Sequence, residues 1–233
     1  FCFFFIFLSF TSICQLTPPT VSVTPSASTQ CPGVVRSLTA TTANTYSRVI
    51  ASSGAISQNI PDDNGTGTSN TQNISGVPAN ATNIEVRVRF SVTHPTNKQV
   101  EVNLQAPNGQ ILNLTADKGN NGNNYVNTEF HSTNIGSTLP NGNSSNITGV
   151  YRANAATTGL RATSNIPNTT SWASLLGTIN GNWTLRVYDN TWNLLILSPQ
   201  RFENWTIEVY YTLPPTWSPT TESCGAGWIS DLG

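Results

Sequence analysis

The chain has 233 residues and a formal net charge of −1, and only 9% of its residues are charged, against a norm of about 25%. Ten scattered Lys and Arg cannot build the basic face that a phosphate backbone requires, which excludes nucleic acid as the expected partner. Asn, Thr and Ser number 28, 33 and 24, side chains that hydrogen-bond locally and favour turns and strand edges, so an all-α fold is excluded; 37% hydrophobic residues fill one core and exclude disorder throughout.

The first ten residues, FCFFFIFLSF, are too short an apolar run to span a bilayer, which takes about 20 residues. They match the apolar middle of a secretory signal peptide, with small residues at Ser12 and Cys14 placing the cut before Gln15. No basic leader precedes the run and no Met occurs in the chain, so the sequence is expected to lack its true start. Residues 1–14 are therefore read as an incomplete signal peptide. The mature protein is expected to be secreted or held at the cell surface, without a transmembrane helix. Cys2 and Cys14 leave with the signal. Cys31 and Cys224 then either form a disulfide, which export permits, or belong separately to neighbouring modules.

Residues 15–52 form a spacer rich in Pro, Ser and Thr, with a candidate strand pair at Val21–Thr24 and Val34–Ala40. Around Cys31-Pro32-Gly33 it resembles the opening of immunoglobulin-like repeats of bacterial surface proteins. Residues 213–233 carry turn residues without sustained periodicity and are read as a linker or a truncated C-terminal segment.

Between residues 53 and 212 alternation dominates. Ile84–Val92 reads IEVRVRFSV, apolar residues strictly alternating with polar ones, which turns one face to a core and the other to solvent. Val100, Val102 and Leu104 continue the pattern, the turn at Pro107-Asn108-Gly109 follows, and Leu112 and Leu114 resume it. Trp183-Thr-Leu185-Arg-Val187 and Trp205-Thr-Ile207-Glu-Val209 alternate likewise, each opening on a Trp large enough to plug the core. The pattern predicts an all-β domain, an antiparallel β-sandwich or jelly roll, with Val86, Val88, Phe90, Val102, Leu104, Leu185, Val187, Ile207 and Val209 inward.

These blocks resemble the P domain, or Homo B domain, that follows the catalytic domain of subtilisin-like proprotein convertases and recurs in secreted bacterial proteins. The resemblance runs through Ile60-Pro61-Asp62-Asp63-Asn64-Gly65, Thr93-His94, Leu104-x-x-Pro107-x-Gly109 and the stretch from Asp117 to Phe130. It closes on Gly181-x-Trp183-Thr-Leu185-Arg-Val187-x-Asp189 and the Trp205 strand. It implies a P-domain-like sandwich that packs on and supports a neighbour. Two departures stand out. Lys98-Gln99 replaces the usual Gly-Asp, removing a carboxylate, and Trp192-Asn193-Leu194-Leu195-Ile196-Leu197 replaces a short Gly- and Asp-rich turn.

Hydrolysis by a subtilisin-type triad requires Asp, His and Ser in motifs that aim a nucleophile at a base. The two histidines, His94 and His131, stand in no such motif and are read as residues of a turn and a strand end, and two isolated His with two distant Cys do not give zinc spacing. Calcium is the ion considered. Asp62 and Asp63 with Asn64, and Asp117 with Asn120, Asn121 and Asn123, form oxygen-rich loops of the kind hard cations use, and the resemblance implies calcium in such loops. The same residues also cap turns without any metal. Nine Asn-x-Ser/Thr sequons occur, no real excess over composition and no evidence of glycosylation.

Trp192, Leu195 and Leu197 are the candidate binding surface, since apolar side chains in a loop either fold back under the sheet or await a partner. The leading expectation is a non-catalytic module that stabilises or docks a neighbouring domain or another surface protein. The alternatives are an accessory domain of a subtilisin-like serine endopeptidase whose catalytic domain is elsewhere, and a carbohydrate-binding module using Trp172, Trp192 and Tyr151.

Overall fold

Alternation in the sequence becomes two facing sheets. In the computed structural model, residues 45–119, 122–142, 145–192 and 199–214 are described. The strands are β1 (Thr45–Ser52), β2 (Gln58–Asn59), β3 (Thr68–Ile74), β4 (Thr82–Thr93), β5 (Val100–Gln105), β6 (Ile111–Thr115), β7 (Tyr125–His131), β8 (Ile147–Tyr151), β9 (Gly181–Asp189) and β10 (Arg201–Leu213), with one short helix, α1 (Trp172–Leu175). They belong to a unit spanning Thr45–Pro214. The signal segment, the candidate strand pair of the spacer, Cys31, Cys224 and the C-terminal segment beyond Pro214 lie outside the described residues, while Leu213 ends β10.

One sheet runs β1-β10-β4-β7-β8, with β2 on β10, and the other runs β3-β9-β5-β6. The result is an all-β sandwich, as alternation predicts. All nine side chains expected inward, from Val86 to Val209, are fully buried. Trp183 and Trp205 are buried with them, and each keeps its indole N–H satisfied, Trp183 Nε1 donating to the Ile179 carbonyl and Trp205 Nε1 to Asn70 Oδ1, both at 2.9 Å. A buried indole with its donor paired gains the full benefit of its apolar area. Phe90 stacks on Phe130 at 5.8 Å between centroids and leans on Tyr125 at 5.7 Å, joining β4 to β7 through the core.

Two features depart from the sequence reading. Thr45–Ser52, assigned to the spacer, is the outer strand of the larger sheet and pairs with β10 over eight residues, Thr45 to Ser52 against Leu213 to Thr206. Its signal was weak because it is an edge: Tyr46 and Ile50 stay exposed, and the opposite face offers only the half-buried Val49 and Ala51 to the core. The second is β7–β8, the parallel pair in an otherwise antiparallel set. Parallel neighbours need a long connection, and residues 132–146 supply it.

Strands β5 and β6 are buried on both faces, from Val100 to Leu104 and from Ile111 to Thr115. The cause is a strap, residues 152–169, laid over the outer face of the smaller sheet. Asn154 N donates to the Leu114 carbonyl and Ala155 N to the Asn113 carbonyl, both at 2.9 Å, and Asn168 N donates to the Ile111 carbonyl at 3.1 Å. The edge of β6 is thereby closed against further pairing.

Candidate functional site

The strap leaves the two sheets unequal. Beneath it Glu101, Asn103 and Asn113 form a buried polar row: Asn113 Nδ2 donates to Asn103 Oδ1 at 2.8 Å, and Asn103 Nδ2 donates to Glu101 Oε1 at 2.9 Å. The other Glu101 oxygen, Oε2, accepts from Arg161 N of the strap at 2.8 Å. Burial pushes the Glu101 carboxyl above the usual carboxylate range, against the opposing effect of these donors. Tyr188 donates to the Ser164 carbonyl at 2.6 Å, and burial raises its phenol to about 12. Over β5 and β6 this face is covered, while toward β3 it stays open, where Thr71 and Asn73 are exposed.

The outer face of the larger sheet is uncovered, and it gathers charge from a chain poor in it. Arg48 on β1, Glu85, Arg87 and Arg89 on β4, Glu129 and His131 on β7, and Glu208 and Tyr210 on β10 lie across it. Arg87 Nε meets Glu85 Oε1 at 2.5 Å, Arg89 pairs with Glu129, and the Arg87 guanidinium sits 4.3 Å above the Tyr210 ring. Tyr46 stacks on Tyr210 at 5.5 Å. Burial opposes ionisation of Glu129, but hydrogen bonds from His131 and Arg89 outweigh it and hold its carboxyl below the usual range. Of the large apolar side chains left exposed among the described residues, Tyr46, Ile50, Val126 and Val150 are on strands of this sheet.

Both histidines are buried, His131 at the end of β7 and His94 just after β4, as the sequence places them, and each lies beside a carboxylate. His94 Nδ1 accepts from Thr96 N at 3.1 Å while Nε2 faces Asp189 Oδ2 at 3.3 Å, with neither side chain exposed. Nδ1 is hydrogen-bonded, while Nε2 is buried beside the Asp189 carboxylate without a hydrogen bond of its own. Asp189 also accepts from Gln200 Nε2 at 2.8 Å and from Thr191 N at 3.1 Å. Sequence reasoning placed Asp189 in a family block; its partners come from strand ends distant in the chain.

The calcium candidates are brought close, but to a guanidinium. Asp63, at φ +45° in a tight turn, pairs through Oδ1 with Arg161 Nη2 at 2.8 Å. Asp117, at φ +52°, accepts from Asn190 Nδ2 at 3.0 Å. Asp117, Arg161, Asn190 and Thr191 line one polar cleft of about 240 Å³. Asp62 has its own interactions. Among the described residues no three of His, Cys, Asp and Glu gather as metal ligands, and calcium takes six to eight oxygens. The cation beside Asp63 in this arrangement is Arg161.

Trp192 is 62% exposed, while Leu195 and Leu197 lie outside the described residues, as do Asn120 and Asn121. The aromatic trio considered for sugar stacking is not one platform. Trp172 is buried in the core from α1, and Tyr151 packs against the core at the end of β8.

Residues 84–145 match the family described as the proprotein convertase P-domain. The match begins in β4, takes in β5, β6 and β7, and ends just before β8; the sandwich is P-domain-like. The blocks around Trp183 and Trp205 lie beyond the matched residues. Two crystal structures of the serine protease of Aeromonas sobria, one of them in complex with the chaperone, align with TM-scores of 0.41 and 0.39 at 13% and 14% identity. The alignments cover 72% of this chain and 27% of each protease chain, so the chain spans little more than a quarter of their length. No curated protein matches. Among the described residues no helix is long and apolar enough to cross a membrane.

Proposed function

We propose that this P-domain-like sandwich performs no chemistry of its own and serves, in a secreted or cell-surface protein, to stabilise a neighbouring domain or dock another protein. The observation that carries the reading is the asymmetry of the two sheets. The strap covers β5 and β6 on one outer face, and the other face stands open with Tyr46, Ile50 and Val150 exposed around an Arg-, Glu- and Tyr-rich centre. Interfaces are enriched in Tyr and Arg and owe their affinity to a few such anchors. The burial of the His94 ring away from solvent supports the non-catalytic half of the reading.

The test is expression of the chain with the segments that adjoin it in its gene, comparing wild type with Ile50→Asp and Val150→Asp. Unchanged melting of the sandwich with lost stabilisation of the neighbour supports docking; full stabilisation by both variants refutes it. The P-domain match also favours a second reading, an accessory domain of a subtilisin-like serine endopeptidase encoded in the same gene. Peptide cleavage by the complete gene product, blocked by a serine-directed reagent and absent from the 233-residue chain, distinguishes it.

A further inference from the structure

Strand β1 ends the larger sheet, and its far edge pairs with no described strand. Just past it, Ser53 N donates to the Trp205 carbonyl at 3.0 Å. Antiparallel pairing alternates, so Ser47, Val49 and Ala51 turn their backbone groups to β10 while Tyr46, Arg48 and Ile50 turn theirs outward. On the opposite side of the sandwich aperiodic chain fills both edges: Arg152 N donates to the Ser137 carbonyl at 2.9 Å beside β8, where Ser137 also bridges Tyr151, and the strap lies along β6. Of the end strands left, β1 and β3, β1 carries the aromatic and β-branched side chains that cross-strand pairs use. It also lacks the usual edge protections, since it is eight residues long, holds no proline and pairs with β10 without a register shift. We propose that the free edge of β1 takes up an extended segment of a partner protein as an additional strand, with an acidic side chain opposite Arg48 and apolar side chains opposite Tyr46 and Ile50.

The inference rests on the docking reading above and names its mode, backbone pairing at an edge in place of packing on the open face. Directly opposite residues of paired strands lie on the same side of the sheet, so what β1 presents dictates what the partner strand carries. On the outer face Tyr46 and Ile50 are 60% and 46% exposed. Between them Arg48 keeps 48% of its side chain exposed, although Nη1 reaches the Tyr210 hydroxyl at 3.2 Å and Glu208 at 3.6 Å. Glu208 lies on the β10 side, so a strand added outside β1 meets the positive charge of Arg48, and a carboxylate placed there makes a cross-strand ion pair. On the inner face Val49 and Ala51 are half-buried against the core, and apolar residues at the alternate positions of the partner cover their remaining area. The matching segment therefore centres on an acidic residue flanked on each side by apolar ones. Its main-chain hydrogen bonds supply affinity, and these side chains supply the selection.

The experiment uses the 233-residue chain and the synthetic peptide acetyl-KTVVEVVTK-amide, with acetyl-KTVVKVVTK-amide as control, read by titration and by amide hydrogen exchange along β1. In the chain alone the Arg48 and Ile50 amides are expected to exchange fast and the Val49 and Ala51 amides slowly. With the acidic peptide at about ten times its titration midpoint, exchange at Arg48 and Ile50 is expected to slow about tenfold. The basic peptide is expected to bind about fivefold more weakly, and Arg48→Glu to reverse that preference. Absence of binding, binding that leaves these two amides unprotected, or equal affinity for the two peptides overturns the proposal. Slow exchange of both amides without peptide overturns it as well, because the edge is then already filled, by a second copy if protection rises with protein concentration. The docking reading fails separately: it falls if Ile50→Asp and Val150→Asp both stabilise the neighbour in full, and it stands without strand addition if they do not while the β1 amides stay unprotected.

Discussion

Gln200 donates from Nε2 to Asp189 Oδ2 at 2.8 Å, tying the residue that ends β9 to the one before β10. The loop between them, which contains Trp192, is thus closed at its base by a fully buried carboxylate that His94 also faces. Asp189→Ala leaves both partners buried without an acceptor and is expected to cost about 3–5 kcal/mol. Urea unfolding measures it. A loss below about 1 kcal/mol would show that the strand ends hold without the pin.

Trp183 is fully buried with its indole N–H paired. Trp183→Ala is expected to cost about 3–5 kcal/mol, the range for large aromatics truncated in a core. Thr71→Ala, on the exposed side of β3 and bonded only to Thr184 Oγ1, is expected to change stability by about 0.5 kcal/mol or less. Chemical unfolding of the two variants in parallel separates core from surface.

Two carboxylates act in opposite directions on pH stability. Burial raises Glu101 in the folded state, so its contribution is complete below the unfolded carboxylate value and declines as pH rises through its higher folded value. His131 and Arg89 outweigh burial at Glu129 and lower it, so its contribution is present above the unfolded value and is lost as pH falls through the folded one. Glu101→Gln should therefore flatten the decline on the rising side of a Tm-against-pH profile, and Glu129→Gln the decline on the acid side. The reverse assignment would show that the hydrogen bonds outweigh burial at Glu101, or that burial outweighs them at Glu129.

Arg161 holds Asp63 at 2.8 Å at the edge of the cleft that Asp117 shares. Because a guanidinium stands where a dication would neutralise these groups, wild-type protein is expected to melt at the same temperature with calcium and with a chelator. Arg161→Gln removes that charge and leaves Asp63 without its cation and Asp117 in the cleft, so calcium is expected to raise its Tm by mass action on the folded state. A rise in the wild type would reinstate the calcium loops expected from the sequence.

How far the sequence reached depended on whether a residue's burial is set by its own strand. Val86, Val88 and Phe90, Leu185 and Val187, and Ile207 and Val209 were legible because period-2 alternation states which face is buried, and a slip of one residue would invert it. Strand β1 was not legible, since an edge strand with Tyr46 and Ile50 in solvent lacks that contrast. Nor was the burial of Glu101, Asn103 and Asn113, which read as solvent-facing positions until the strap covers them. His94 and His131 looked plain because their carboxylate partners, Asp189 and Glu85, come from other strands.

The sequence by itself determined the all-β class, the inward side chains of the long strands and the P-domain resemblance, because these follow from composition, short-range alternation and motif order. Only the tertiary structure decided which strands the strap covers, that Asp63 meets Arg161, and that two histidines are buried beside carboxylates. Those outcomes depend on strand order and on an aperiodic strap, and residues far apart in the chain become neighbours only when the sheets are assembled.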